Sequence, residues 1–165
     1  MKGRIHPIWF AGLLSLASLG ACKDSSTSPS EPSGVAALRE SLAPYSSLAL
    51  AKAAGYNTAI TDCMSNGDEG AMGIHFAKTG LIDGVADSLH PEALIYEPGS
   101  SGEASLVGVE FIVPFAVVAK QLPPPVLFGQ KFSANDVFGV WALHVWTHRA
   151  NPSGVFATWN PRVHC

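Results

Sequence analysis

The sequence predicts an α+β domain: an N-terminal helix or pair of helices packed on a mainly antiparallel sheet of about four or five strands. Three observations predict it. Val35 to Ala54 is rich in Ala, Leu and Ser, while the remainder alternates apolar, strand-forming runs with Gly- and Pro-rich turns. The strand runs follow one another without helical stretches between them, which favours antiparallel pairing over a βαβ sheet. No internal repeat is visible, and 165 residues leave room for about one domain at roughly 100 to 200 residues each.

The chain opens on an address. Lys2 and Arg4 precede an uncharged stretch from Ile8 to Leu19, the basic and apolar regions of a secretory signal peptide. The stretch is shorter than the roughly 20 apolar residues that a bilayer core demands of a helix. Leu19-Gly20-Ala21-Cys22 resembles the bacterial lipobox. The resemblance implies cleavage before Cys22 and lipidation of its thiol, which would anchor the protein to a membrane on the extracytoplasmic side, in the periplasm or at the cell surface. A plain signal peptide with an incidental cysteine is the other reading. The segment that follows, KDSSTSPSEPSG from Lys23 to Gly34, cannot bury enough apolar surface to fold and reads as a semi-extended tether. The expected organisation is therefore a signal peptide over 1–21, a tether over 22–34 and one α+β domain over 35–165.

Within that domain, Pro44 divides the helical region into two short helices or one broken helix. Tyr45, Leu48, Ala49 and Lys52 share a face of the second piece, and Gly55 offers its C-terminal cap. Turn chemistry at Asn66-Gly67-Asp68 introduces a first strand, GAMGIHF at 70–76. A second strand, Ala93 to Glu97, is joined through PGSSGEAS to a third, Leu106 to Val113, as an antiparallel hairpin. Pro114 and the run Pro123-Pro124-Pro125 force an extended surface connection. Phe138 to His148 is the last long strand, and NPSGVFATWNPRVHC closes the chain.

Composition narrows the functions. With 47% hydrophobic and 14% charged residues the chain is neither disordered nor a multispanning membrane protein. Loss of Lys2 and Arg4 with the signal leaves eight basic against thirteen acidic residues, a net charge of about −5 with histidine neutral. The remaining Lys and Arg are scattered singly, so no basic patch exists to neutralise phosphates, and nucleic acid is excluded as a partner. With Cys22 lipidated, Cys63 and Cys165 remain. In an oxidising compartment they close as a disulfide over about a hundred residues; a soft-metal or redox site is the alternative.

The chemistry resides in the strands. In Phe138 to His148, period-two alternation places Ala142, His144, Trp146 and His148 on one face and Trp141, Leu143, Val145 and Thr147 on the other. Glu110 lies inside LVGVEFIV and His75 inside GIHF, each a polar group in an otherwise apolar strand. Such groups cost free energy unless satisfied, so His75, Glu110 and His144 are either hydrogen-bonded core residues or a converging site. Two imidazoles and a carboxylate are a ligand set for zinc, iron or copper with an open position, and without a metal they are an acid/base pair. Glu97, ending ALIYE, is a fourth candidate ligand. His144 and His148 on a strand stand about 13 Å apart and do not chelate. His90, before Pro91, and His164, beside the last cysteine, read as solvated. Trp141, Trp146 and Trp159, with Phe138 and Phe156, either line a pocket for a small ligand or pack the core. Arg149 and Arg162 flank the final loop and are placed to serve one carboxylate. No HExxH, CxxC, phosphate-loop or nucleophile-elbow pattern is present.

The segments GAMGIHF, PEALIYEP, LVGVEFIVP, PPPVLFGQKF, ALHVW and NPSGVFATWNPRVHC resemble those of a family of uncharacterised secreted bacterial proteins and lipoproteins. The resemblance runs from about Gly55 to Cys165 and is specific as a set. It implies no reaction, but places His75, Glu97, Glu110, His144 and Cys165 within the shared motifs. Three functions follow as expectations: a tethered domain binding a metal ion or small ligand through His75, Glu110 and His144, an envelope enzyme (metal-assisted hydrolase or oxidoreductase) using the same residues, or a non-catalytic structural or interaction module.

Overall fold

The computed structural model describes Glu31–Cys165, together with Gly3. The signal peptide, Cys22 and the tether up to Ser30 lie outside the described residues. The described region forms a compact unit of its own. Among its residues no helix is long and apolar enough to cross a membrane.

The expected α+β class, with helices packed on the sheet, is not what forms: 33% of the described residues are strand and 16% helical. Helix α1 (Val35–Ser41) and helix α2 (Leu48–Ala53) are separated by a 3-10 turn at Ala43–Tyr45 that contains Pro44. Neither reaches two full turns. Helical propensity in the Ala- and Leu-rich segment is real, but runs this short do not repay the nucleation cost and depend on the packing of a few side chains. Val35, Leu38 and Leu42 bury themselves in the core as individual anchors.

Strands fill the rest: β1 (Thr58–Ala59), β2 (Met64–Ser65), β3 (Ala71–Ala77), β4 (Ala93–Pro98), β5 (Ala104–Pro114), β6 (Val126–Leu127), β7 (Gln130–Lys131), β8 (Ser133–Asn135) and β9 (Val140–Val145). Seven of them form one sheet, ordered β1-β3-β4-β5-β9-β8 with β2 also on β3, and β6 pairs with β7 separately. Every pairing is antiparallel. The sheet thus has more strands than the expected four or five, because two- and three-residue pieces at its margins carry too little alternation to be read from sequence. The last strand stops at Val145 rather than His148. Beyond it the Trp146 N–H donates to the Val155 carbonyl, and the His148 N–H to that of Val107.

Alternation sorts the two faces. Phe76, Leu94, Tyr96, Val109, Phe111 and Leu143 belong to the main hydrophobic cluster. His75, Ala93, Glu110, Ile112, Ala142 and His144 occupy the alternate positions. The closing segment is held at several points. Asn160 exchanges backbone hydrogen bonds with Ala71, Val163 is fully buried, and Cys165 meets Cys63 at disulfide distance with their Cα atoms 5.5 Å apart.

Candidate metal centre

The register brings three strands to one point. Glu110 on β5 pairs directly with His144 on β9 and, on its other side, with Ala93 on β4. His75 on β3 pairs with Ile95, two residues along from Ala93, and Ile95 in turn faces Gly108. Ala93 on β4 and Gly108 on β5 are small, and the His75 and His144 side chains reach toward each other over these two central strands from β3 and β9. A Cβ at Gly108 would stand 3.3 Å from the Trp146 ring, which stacks on His144 with ring centroids 6.3 Å apart at 17°. That Cβ would stand closer still, at 2.8 Å, to the Val145 carbonyl oxygen, so the glycine admits the close approach of this end of β9.

The three side chains converge. Nε2 of His75 lies 3.1 Å from Nε2 of His144, while Glu110 Oε2 is 3.6 Å from the first and Glu110 Oε1 3.8 Å from the second. One ligand atom from each lies within 4.8 Å of the others, and all three residues are buried. Thr61 orients His75 from behind: its Oγ1 is 2.9 Å from Nδ1 and accepts the His75 backbone N–H at 3.2 Å. Such a partner holds the Nδ1–H tautomer and frees Nε2 for a metal.

Burial sets the protonation. It pushes the His75 imidazole down to about 3, with His144 adding to the effect, and His144 itself down to about 4. It pushes the Glu110 carboxyl up to about 8, with the Glu92 carboxyl contributing. Near neutral pH the trio is therefore two neutral imidazoles and a protonated acid, so the nitrogen-to-oxygen approaches of 3.6 and 3.8 Å are not ion pairs. The geometry suits an ion instead. Ligands held at about 2.0–2.2 Å and at angles of about 90–110° stand roughly 2.8–3.6 Å apart, close to the separations found here.

The site forms the floor of a cleft of about 440 Å³. Ile60, Ile82, Ile112 and Val140 line it, and Gln130, Lys131 and Asn135 also border it. That volume lies within the range of small-molecule sites.

The other expected site residues lie elsewhere. Glu97 binds Arg149 and accepts the His164 backbone N–H at 2.9 Å, so it clamps the closing segment and does not join the histidines. This pairing also commits Arg149, while Arg162 is exposed. The expected tryptophan pocket is corrected too: none of the three lines the cleft. Trp141 packs on Phe115 in the main core and donates to the Val118 carbonyl, Trp146 backs His144, and Trp159 is half-buried. Phe138 and Phe156 do line it. His90 pairs with Asp87 at the surface, and His164 is exposed.

Sequence reasoning missed Thr61 and Glu92. Glu92 is 1% exposed and accepts the Ile112 N–H at 3.0 Å, standing in for a strand partner where β4 has not yet begun. Burial pushes its carboxyl up to about 7, against the lowering effect of that hydrogen bond. Beside Pro91 it reads as an ordinary loop acid, so nothing in the sequence marks it.

These shifts set a pH profile for the metal-free protein. The unfolded chain takes up protons on histidine below about 6.5, which buried His75 and His144 refuse until about 3 to 4, so stability rises with pH across that window. Glu110 and Glu92 hold protons that the unfolded chain loses above about 4.5, so their contribution is fully present below 4.5 and falls as pH rises toward 7 to 8. The opposing slopes cancel between about 4.5 and 6.5. Urea midpoints should peak in that interval and decline from pH 6.5 to 8; a midpoint that keeps rising through pH 8 would contradict these assignments.

No protein-family model, curated protein or solved structure matches the chain.

Proposed function

We propose that this protein is a lipid-anchored extracytoplasmic domain that binds a transition metal ion through His75, Glu110 and His144. The observation that carries the metal reading is the convergence of three buried ligand atoms from three strands, within 4.8 Å, at the floor of a cleft. Two imidazoles and a carboxylate suit zinc, iron or copper, and an open coordination position would face the cleft. Binding replaces the Glu110 proton with the ion, so proton release should accompany it near neutral pH.

The anchor reading is supported by the basic and apolar N-terminal regions, the lipobox-like Leu19-Gly20-Ala21-Cys22 and the tether behind it. A cysteine pair at disulfide distance is compatible with an oxidising compartment. Cys22→Ser should move the protein from the membrane fraction to the soluble fraction after cell disruption. Unchanged membrane retention contradicts the anchor.

A second reading, an envelope hydrolase or oxidoreductase using the same ion, is favoured by the cleft, which leaves a path for water or substrate to the open position.

A further inference from the structure

We propose that the cleft above His75, Glu110 and His144 admits a small amphiphile head first, with a monoanionic oxygen head such as a carboxylate on the metal ion and an apolar body along the walls. The inference rests on the metal reading and extends it to a class of ligand.

Polarity along the cleft fixes the orientation. The buried floor carries the imidazoles and the carboxyl with Ile112, the half-buried walls include Ile60, Ile82 and Val140, and the exposed rim is mostly polar, with Gln130, Lys131, Ser133 and Asp136. Phe138 lines the cleft yet is 54% exposed, and its neighbour Val137 is 88% exposed. Exposed apolar side chains at the mouth of a cleft with apolar walls mark a binding surface more often than scattered ones do. A ligand entering tail first would set methylenes against the donor atoms and leave the ion's open position unfilled. Head first, its oxygen meets the ion, and its apolar body follows the walls out to Phe138 and Val137.

Charge selects the head. A divalent ion held by two neutral imidazoles and one carboxylate keeps one net positive charge in an enclosed site, which is costly until an anion joins it. A monoanion neutralises it; an alcohol or an amine does not. The cleft's border repeats the preference. Asp136 is paired with Lys120, whereas Lys131, also bordering the cleft, has no ion-pair partner among the described residues.

Calorimetric titration with decanoate, decanol and acetate tests this. Because Glu31–Cys165 holds its own core and cysteine pair, a soluble chain starting at Lys23 serves, loaded with whichever of zinc, copper or iron it retains at one ion per chain. Decanoate should bind at least about tenfold more tightly than decanol or acetate. Phe138→Asp and Lys131→Glu should each weaken decanoate while leaving the ion stoichiometry unchanged. One ion per chain with decanoate no tighter than acetate or decanol overturns the ligand inference and leaves the metal reading standing. Failure to retain any of the three ions overturns both.

Discussion

Reduction of the Cys63–Cys165 pair should lower the unfolding free energy of the domain by about 4.7 kcal/mol, the value that chain entropy assigns to a closed loop of about a hundred residues. The two cysteines are 102 positions apart, so the bridge closes most of the unfolded domain into one loop and leaves only the residues before Cys63 outside it. In the folded state the closing segment has other anchors. Asn160 is hydrogen-bonded to Ala71, Val163 is fully buried, and the His164 N–H donates to Glu97. Loss of the bridge therefore acts mainly through the unfolded chain and leaves the fold recognisable. Denaturant unfolding of the native protein and of Cys63→Ser/Cys165→Ser, followed by circular dichroism, measures the difference. A loss below about 1 kcal/mol would show that the unfolded chain is not the state being restrained.

Glu110→Gln should weaken metal binding by about a hundredfold or more while changing the stability of the metal-free protein by no more than about 1 kcal/mol. The contrast follows from the protonation of the site. Burial pushes the Glu110 carboxyl up to about 8, so without a metal it is a neutral acid at pH 7, and an amide of the same shape replaces it with little electrostatic change. With a divalent ion present, the carboxylate supplies the only negative charge among the three ligands, and the amide cannot. Competition with a chelator of known affinity gives the first number, and urea unfolding after chelation gives the second. Equal metal affinity in the variant would remove Glu110 from the ligand set. A large loss of stability without metal would mean that the carboxylate is ionised in the fold.

Much of the site was legible because period-two alternation is strict: His75, Glu110 and His144 are polar residues in runs where apolar ones dominate, and their faces could be assigned from spacing alone. Their meeting point was not legible. It depends on β4 lying between β3 and β5, and on a register shift between Ile95 and Tyr96, which no local pattern encodes. Glu97 shows the consequence. It lies beyond that shift and faces Arg149 and the closing segment, although it continues the same apolar run as Ile95. The tryptophans taught a different lesson, since alternation had already placed Trp141 and Trp146 on opposite faces, and pooling them in one pocket ignored it. The helical layer was overestimated because Ala and Leu raise helix propensity locally, while Pro44 limits length, on which helix stability depends. The two-residue strands flanking the sheet exist only through their partners.

The central claim is that His75, Glu110 and His144 hold a metal ion, and elemental analysis tests it most directly. Protein purified without a metal-affinity tag, reconstituted with zinc, copper or iron and freed of unbound ion, should retain one equivalent. The His75→Ala/His144→Ala variant treated in the same way should retain none. Less than about a tenth of an equivalent of every transition metal in the unaltered protein would contradict the account.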